Sequence, residues 1–353
     1  MRNLVINGDM RVDQRNEGAS LTVPATGAAF RSVDKFFGVN SAVGVTSLQR
    51  LAATPPTGFT NYLRSTVTTA DATPAAGAFY AVLTNIESFL IQASNFGLST
   101  AANISLSFWV RSSVAQQMSG ALKNSANNRS YIFNYTINTA NVWQYVTVVI
   151  PGDSAGTWLL SGNGVGIRLE FTLGCGSTTT TPTAGVWVTG NFLAANNTSG
   201  SGVILSNGAT LDIAGVQLEV ANASTSFDYQ QYETQLALCQ RYYSKSFLQG
   251  TTPAQNVGVS NGETYGIGST VTGTSNYIFV RTPVTMRAVP GTLVTYNPGA
   301  ANAQVRNEIG GVDCSSTAIA STGDEQIIVT FNPNAAGAIG NLYGVHWTAD
   351  ADL

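Results

Sequence analysis

Residues 211–243 read LDIAGVQLEVANASTSFDYQQYETQLALCQRYY, and this stretch decides the fold. Leu211 and Ile213 share one face of an alternating pattern, whereas Val216, Leu218 and Val220 fall in the opposite phase. An alternation that slips at Ala214-Gly215 predicts a strand carrying a β-bulge, because glycine accepts the local kink. The polar run Asn222–Ser226 then ends the pattern and predicts a linker. Beyond it, Tyr232, Leu236, Cys239 and Tyr243 recur at helical spacing and predict one short helix with these four side chains along a single face. The stretch thus closes one β-domain and leads through a helix into a second.

The rest of the chain fits that frame. Its 353 residues suffice for two domains, and charged residues make up 10% of them, against roughly 25% in an average globular protein. Short apolar runs between Gly, Ser, Thr and Asn are the vocabulary of strands and turns. The net charge of −3 and the lack of any Lys/Arg cluster exclude nucleic acid as a partner, since phosphate binding needs a basic footprint. The opening Met1–Asp9 breaks its apolar run after three residues, which predicts no signal peptide, and no segment has the length for membrane insertion. Synthesis in a soluble form in the cytoplasm is the expectation. Cys175, Cys239 and Cys314 are odd in number and widely separated, so free, buried thiols are expected.

Alternation places the strands. Asn3–Met10 reads as a short strand entering a turn at Asn7-Gly8, and Phe30–Val45 as a strand pair. Tyr62–Thr68 and Ala78–Ile86 follow, with a helical turn or loop at Ile91–Phe96. The clearest strand carries Ile104, Leu106, Phe108 and Val110 on its core face and Trp109 and Arg111 on the other. Tyr131–Ile137, Val146–Ile150 and Val165–Leu173 alternate similarly, the last leaving Arg168 and Glu170 outside as an expected surface ion pair. After the helix, Glu263–Thr270, Asn276–Arg281, Gly291–Tyr296, Gln326–Phe331 and Val345–Thr348 read as strands of a smaller sandwich. The fold class is therefore all-β: an N-terminal jelly-roll β-sandwich over residues 1–222, a linker and short helix over 223–247, and a small C-terminal antiparallel β-sandwich over 248–353.

The segments NLVINGDM, LSFWVRSS, NNRSYIFNYTINTANVWQYVTVVIPGD, GVQLEV, ALCQRYY and HWTADADL together resemble a family of bacteriophage and prophage structural proteins, labelled tail-fibre or virion-associated, whose first domain is like a carbohydrate-binding jelly roll. The resemblance implies a non-enzymatic virion surface protein, a homotrimer touching other virion structural proteins, with a host cell-surface glycan as ligand. A capsid decoration, head-fibre or fibre-base protein without glycan binding is the alternative, and a glycan depolymerase a more distant one. In the wider carbohydrate-binding family the two ends of the jelly roll supply calcium ligands. Here Arg11, Ala214 and Gly215 stand at the acidic positions, which implies that this site is lost or much weakened.

Candidate binding residues follow from the chemistry of sugars, which stack an apolar ring face on an aromatic and need donors for their hydroxyls. Trp109 with Arg111, Trp143 with Tyr145, and Trp187 beside the Thr-rich loop TTTTPT form that set. Half-buried packing is the competing reading for each. Catalytic residues, metal ligands and cofactors are not expected. Glu170 and Asp212 are the one carboxylate pair to weigh for glycoside hydrolysis, and His346, the only histidine, reads as a satisfied strand residue. Asn134-Tyr-Thr and Asn222-Ala-Ser match the glycosylation pattern but carry no weight in a cytoplasmically made protein.

Overall fold

The computed structural model describes residues 2–27, 30–198, 201–258, 262–268, 274–334 and 339–353, so the ends of the expected strands at 269–270 lie outside it. The chain forms two compact units. The first takes the residues up to Asp13, Gly18–Tyr232 and Leu353, and the second takes Gln14–Glu17 and Glu233–Asp352. The expected linker, Asn222–Ser226, thus lies within the first unit.

In chain order the first unit contains β1 (Leu21–Val23), β2 (Phe30–Arg31), β3 (Phe36–Asn40), β4 (Val45–Leu51), β5 (Tyr62–Thr69), β6 (Phe79–Glu87) and α1 (Ser88–Ile91). There follow β7 (Ile104–Ser112), β8 (Gln117–Lys123), β9 (Arg129–Thr136), β10 (Gln144–Ile150) and β11 (Val165–Cys175). The last are β12 (Thr180–Thr181), β13 (Trp187–Thr189), β14 (Ala194–Ala195) and β15 (Thr210–Glu219). Two antiparallel sheets, β1-β4-β5-β15-β7-β10 and β13-β9-β8-β11-β6-β3-β2, enclose the core. Leu106, Phe108 and Val110 of β7 face Leu169 and Phe171 of β11 in one continuous buried cluster. Phe108 sits edge-on to Phe171 at 5.0 Å and to Tyr135 at 5.4 Å. The expected alternation is therefore the alternation of burial.

The bulge at Ala214-Gly215 is present: the register of β15 on β7 jumps from Ala214 to Gln217, and both Ile213 and Val216 are buried. The opening segment differs from expectation, since residues 3–10 pair in no ladder. Two main-chain bonds, from the Leu4 amide to the Leu218 carbonyl and from the Val216 amide to the Gly8 carbonyl, hold it, together with polar side chains. Asn3 donates from Nδ2 to the Val216 carbonyl and accepts from the Val5 and Leu218 amides, while Asn7 donates to the Val12 and Asp34 carbonyls. Strand β8, QMSGALK, has too weak an alternation to be expected from sequence. Its Gly120 is required, because a Cβ there would lie 2.2 Å from the Phe133 ring.

The second unit contains α2 (Tyr232–Gln240), whose first residue belongs to the first unit, then β16 (Tyr243–Lys245), β17 (Thr264–Ile267), β18 (Asn276–Arg281), β19 (Thr292–Tyr296) and β20 (Arg306–Asn307). It ends with β21 (Val312–Asp313), β22 (Ser315–Ser321), β23 (Gln326–Asn332) and β24 (Leu342–Asp350). β24 is the spine, pairing with β16, β17, β19 and β20, and the sheet β18-β23-β22 supplies Ile278, Val280, Val329 and Phe331 to a core shared with Tyr343, Val345 and Trp347. The helix is shorter than its sequence pattern. Tyr243 pairs as a strand residue with Asp350, Tyr232 is exposed, and the buried face is Gln235 and Cys239. All three cysteines are buried and in no disulfide, and His346 is satisfied by Ser246 at Nδ1 and the Gly258 carbonyl at Nε2.

Candidate ligand-binding site

The outer face of the β1-β4-β5-β15-β7-β10 sheet carries four of the five expected binding residues, and the structure divides them. Trp109 on β7 lies opposite Tyr145 on β10, their rings 5.3 Å apart and tilted by 44°. Together they floor one end of a hollow of about 420 Å³ that is also lined by Ser107, Thr57, Phe59, Gly215 and the returning segment Ser224–Phe227 with Tyr229.

The far wall is an aromatic trio that sequence reading did not find. Phe59 lies 5.1 Å from Phe227 and 5.5 Å from Tyr229, and Phe227 and Tyr229 are 4.9 Å apart. Residues 222–229 read as linker because they are polar and aperiodic. Their side chains nevertheless clip them to the sheet. Glu219 accepts from the Thr225 amide and hydroxyl, Gln217 accepts from the Asp228 amide, and Tyr229 donates to the Gly58 carbonyl at 3.0 Å. Burial pushes the Asp228 carboxyl up, but the amide hydrogens of Arg2 and Asn3 outweigh it and hold the group below the usual carboxylate range.

The bulge makes room for this wall. Gly215 has no cross-strand partner in the β15–β7 ladder, its φ is +58°, and a Cβ on it would lie 2.5 Å from Phe59 Cζ. Around the aromatic surfaces, the hydroxyls of Ser107, Thr57 and Ser226 make no side-chain hydrogen bond to the described residues. Apolar ring faces with unspent hydroxyls between them are the two features a saccharide needs.

Arg111 and Trp143 do other work. The carboxylate of Asp212, fully buried, accepts from Arg111 Nε at 2.8 Å and from Arg64 Nε at 2.7 Å. That hydrogen bond, against the opposing effect of burial, raises Arg64 above its ordinary value. Arg111 also lies 4.6 Å over the Trp143 ring, and both side chains donate to Thr54, which fixes the loop before β5. Trp187 stands apart from this face: half-buried on β13 at the edge of the opposite sheet, it donates to the Pro151 carbonyl at 2.7 Å and packs on Phe96, Tyr131 and Trp158.

The acidic residues likewise separate. Glu170 does not pair with Arg168; its buried carboxylate meets Lys123 at 2.8 Å, and Arg168 donates to Asn85 and Asn127 instead. Glu170 on β11 and Asp212 on β15 belong to different sheets and lie on their outer faces, so they do not flank a common groove. Arg11 rests its guanidinium on Asp9, whose carboxyl burial pushes up despite that partner. Among the described residues no group of three or more His, Cys, Asp or Glu is gathered as a metal would require.

No family model and no curated protein matches this chain. Among solved structures, it is similar to the enzymatically active domain of bacteriophage CBA120 tailspike protein 4, at 12% identity and a TM-score of 0.31, over 62% of this chain and 21% of that one. The chain thus spans about a fifth of the tailspike domain's length. It is also similar to the family 11 carbohydrate-binding module of the cellulase Lic26A-Cel5E of Clostridium thermocellum, at 11% identity and a TM-score of 0.28, over 58% of this chain and 96% of that one. A third likeness is to TmCBM61 in complex with β-1,4-galactotriose, at 8% identity and a TM-score of 0.29, over 63% and 100% of the two chains. Likenesses this low fix neither topology nor binding chemistry.

Proposed function

We propose that this chain is a non-enzymatic surface protein of a bacteriophage virion that attaches to a host glycan through the Trp109–Tyr145 hollow. The single observation that carries the glycan reading is the pairing of two tilted aromatic rings on adjacent strands with unspent hydroxyls and a second aromatic wall across the hollow. A ring face of a sugar stacks on Trp109 and excludes water from it, while the surrounding hydroxyls replace the hydrogen bonds that the sugar loses. The resemblance in the quoted segments supports the virion assignment and a homotrimeric state, in which three weak sites gain avidity by local concentration. The separation of Glu170 from Asp212, each held in an ion pair, supports binding without hydrolysis.

Glycan-array screening followed by calorimetry on the purified chain tests the reading. Trp109→Ala should weaken binding about 30-fold, as loss of an anchoring aromatic costs about 2 kcal/mol. Trp187→Ala should destabilise the sandwich by about 1–3 kcal/mol and leave the affinity of the folded protein unchanged. Equal affinities for wild type and Trp109→Ala would remove the hollow from the account. A capsid-decoration reading is favoured by one observation, the exposure of Tyr277 and Phe279, stacked 6.2 Å apart on the outer face of β18. Recovery of the chain on particles with that face buried and Trp109 irrelevant to adsorption would select it.

A further inference from the structure

We infer that the hollow selects uncharged saccharides and rejects acidic ones, an inference that rests on the glycan-binding reading of the same site. None of the eleven described residues that line it carries a charge at neutral pH. Arg2, Arg11, Arg64 and Arg111 are matched by Asp9, Asp212, Glu219 and Asp228, four charges of each sign.

Each of these is already engaged. Arg2 lies 3.5 Å from Glu219 and donates to the Ser226 carbonyl, Asp228 is held by the Arg2 and Asn3 amides, Arg64 and Arg111 share Asp212, and Arg11 rests on Asp9. A uronic-acid carboxylate or a sulfate seated against Trp109 and Phe227 would give up its water where, among the described residues, Arg2, Arg11, Arg64 and Arg111 are each already held in an ion pair, which is costly. A neutral ring gives up only hydroxyl hydration, and Ser107, Thr57 and Ser226 offer replacements. The volume of about 420 Å³ falls in the range of small-ligand sites and suits a short saccharide.

The test pairs neutral oligosaccharides with their uronic-acid counterparts of identical linkage, titrated calorimetrically into the whole chain and into Trp109→Ala. The neutral member should bind at least about 30-fold more tightly than the acidic one. Its Kd should change less than about twofold between 50 and 500 mM NaCl, because no ion pair forms for salt to screen. Thr57→Lys, which places a cation at an exposed rim position and removes one of the sugar-facing hydroxyls, should raise affinity for the acidic member and lower it for the neutral one. Tight binding of the acidic member that is lost in Trp109→Ala overturns the selectivity and keeps the glycan site. Absence of any Trp109-dependent binding in either series overturns the glycan reading, and the selectivity with it.

Discussion

Gly215 is the residue on which the hollow turns, and replacing it with alanine tests the geometry directly. Two costs arise. A non-glycine residue held in the left-handed region, as φ of +58° requires, costs about 1–2 kcal/mol. The new Cβ would lie 2.5 Å from Phe59 Cζ, so the ring must leave its edge-on contact with Phe227 and its tilted contact with Tyr229, each worth about 0.5–1.5 kcal/mol. The sum is about 2–5 kcal/mol, which in a domain of this size lowers Tm by about 4–20 °C. Calorimetric unfolding of Gly215→Ala, Phe59→Ala and the double variant separates the two costs. In the Phe59→Ala background the glycine substitution should retain only its backbone cost, giving a coupling of about 1–3 kcal/mol. Gly215→Ala melting within 1 °C of wild type, or costing the same in both backgrounds, would refute the claim that the bulge exists to seat Phe59.

Two further outcomes concern buried charge. Asp212→Ala leaves Arg64 and Arg111 facing each other without their shared carboxylate, and should cost about 3–5 kcal/mol in urea unfolding; a loss below about 1 kcal/mol would show that solvent already satisfies both guanidiniums. In the second unit, burial and then the neighbouring Glu308 carboxyl push Glu263 up to about 8, with Tyr265 and Arg306 also facing it and Asp313 beside Glu308. A folded value above the unfolded one means that the folded state holds this proton more tightly. Its stabilisation is complete below the ordinary value of 4.5 and is lost as pH rises through about 8. Hydrogen exchange of the β24 amides should therefore quicken between pH 7 and 9 beyond the intrinsic base-catalysed rise, and Glu263→Gln should remove that excess. The same excess in the variant would place the titration elsewhere.

The all-β class, the two β-bearing regions and the core faces were legible because they rest on local alternation, which solvent imposes on any half-buried strand. Ile104, Leu106, Phe108 and Val110 occupy the core that their spacing assigns them, and the slip at Ala214-Gly215 is the bulge. Where side chains substitute for backbone partners, alternation misleads: Asn3 and Asn7 hold the opening segment outside any ladder. The helix was overextended for a related reason. Tyr243 fits the helical spacing, but its backbone is claimed by Asp350, more than a hundred positions away.

What the sequence by itself determined is which residues face inward and which outward, and hence the candidacy of Trp109 and Tyr145. Only the tertiary structure decided which outward aromatics face open space. Arg111 and Trp143 share the outer face of Trp109's sheet yet are consumed by Asp212 and Thr54, while Phe59, Phe227 and Tyr229 arrive from two aperiodic segments to complete the wall. The physical reason is that periodicity records the side of a strand, a property of neighbouring residues, whereas a binding surface is built by contacts between segments far apart in the chain. Nothing in the local pattern of either segment encodes that meeting.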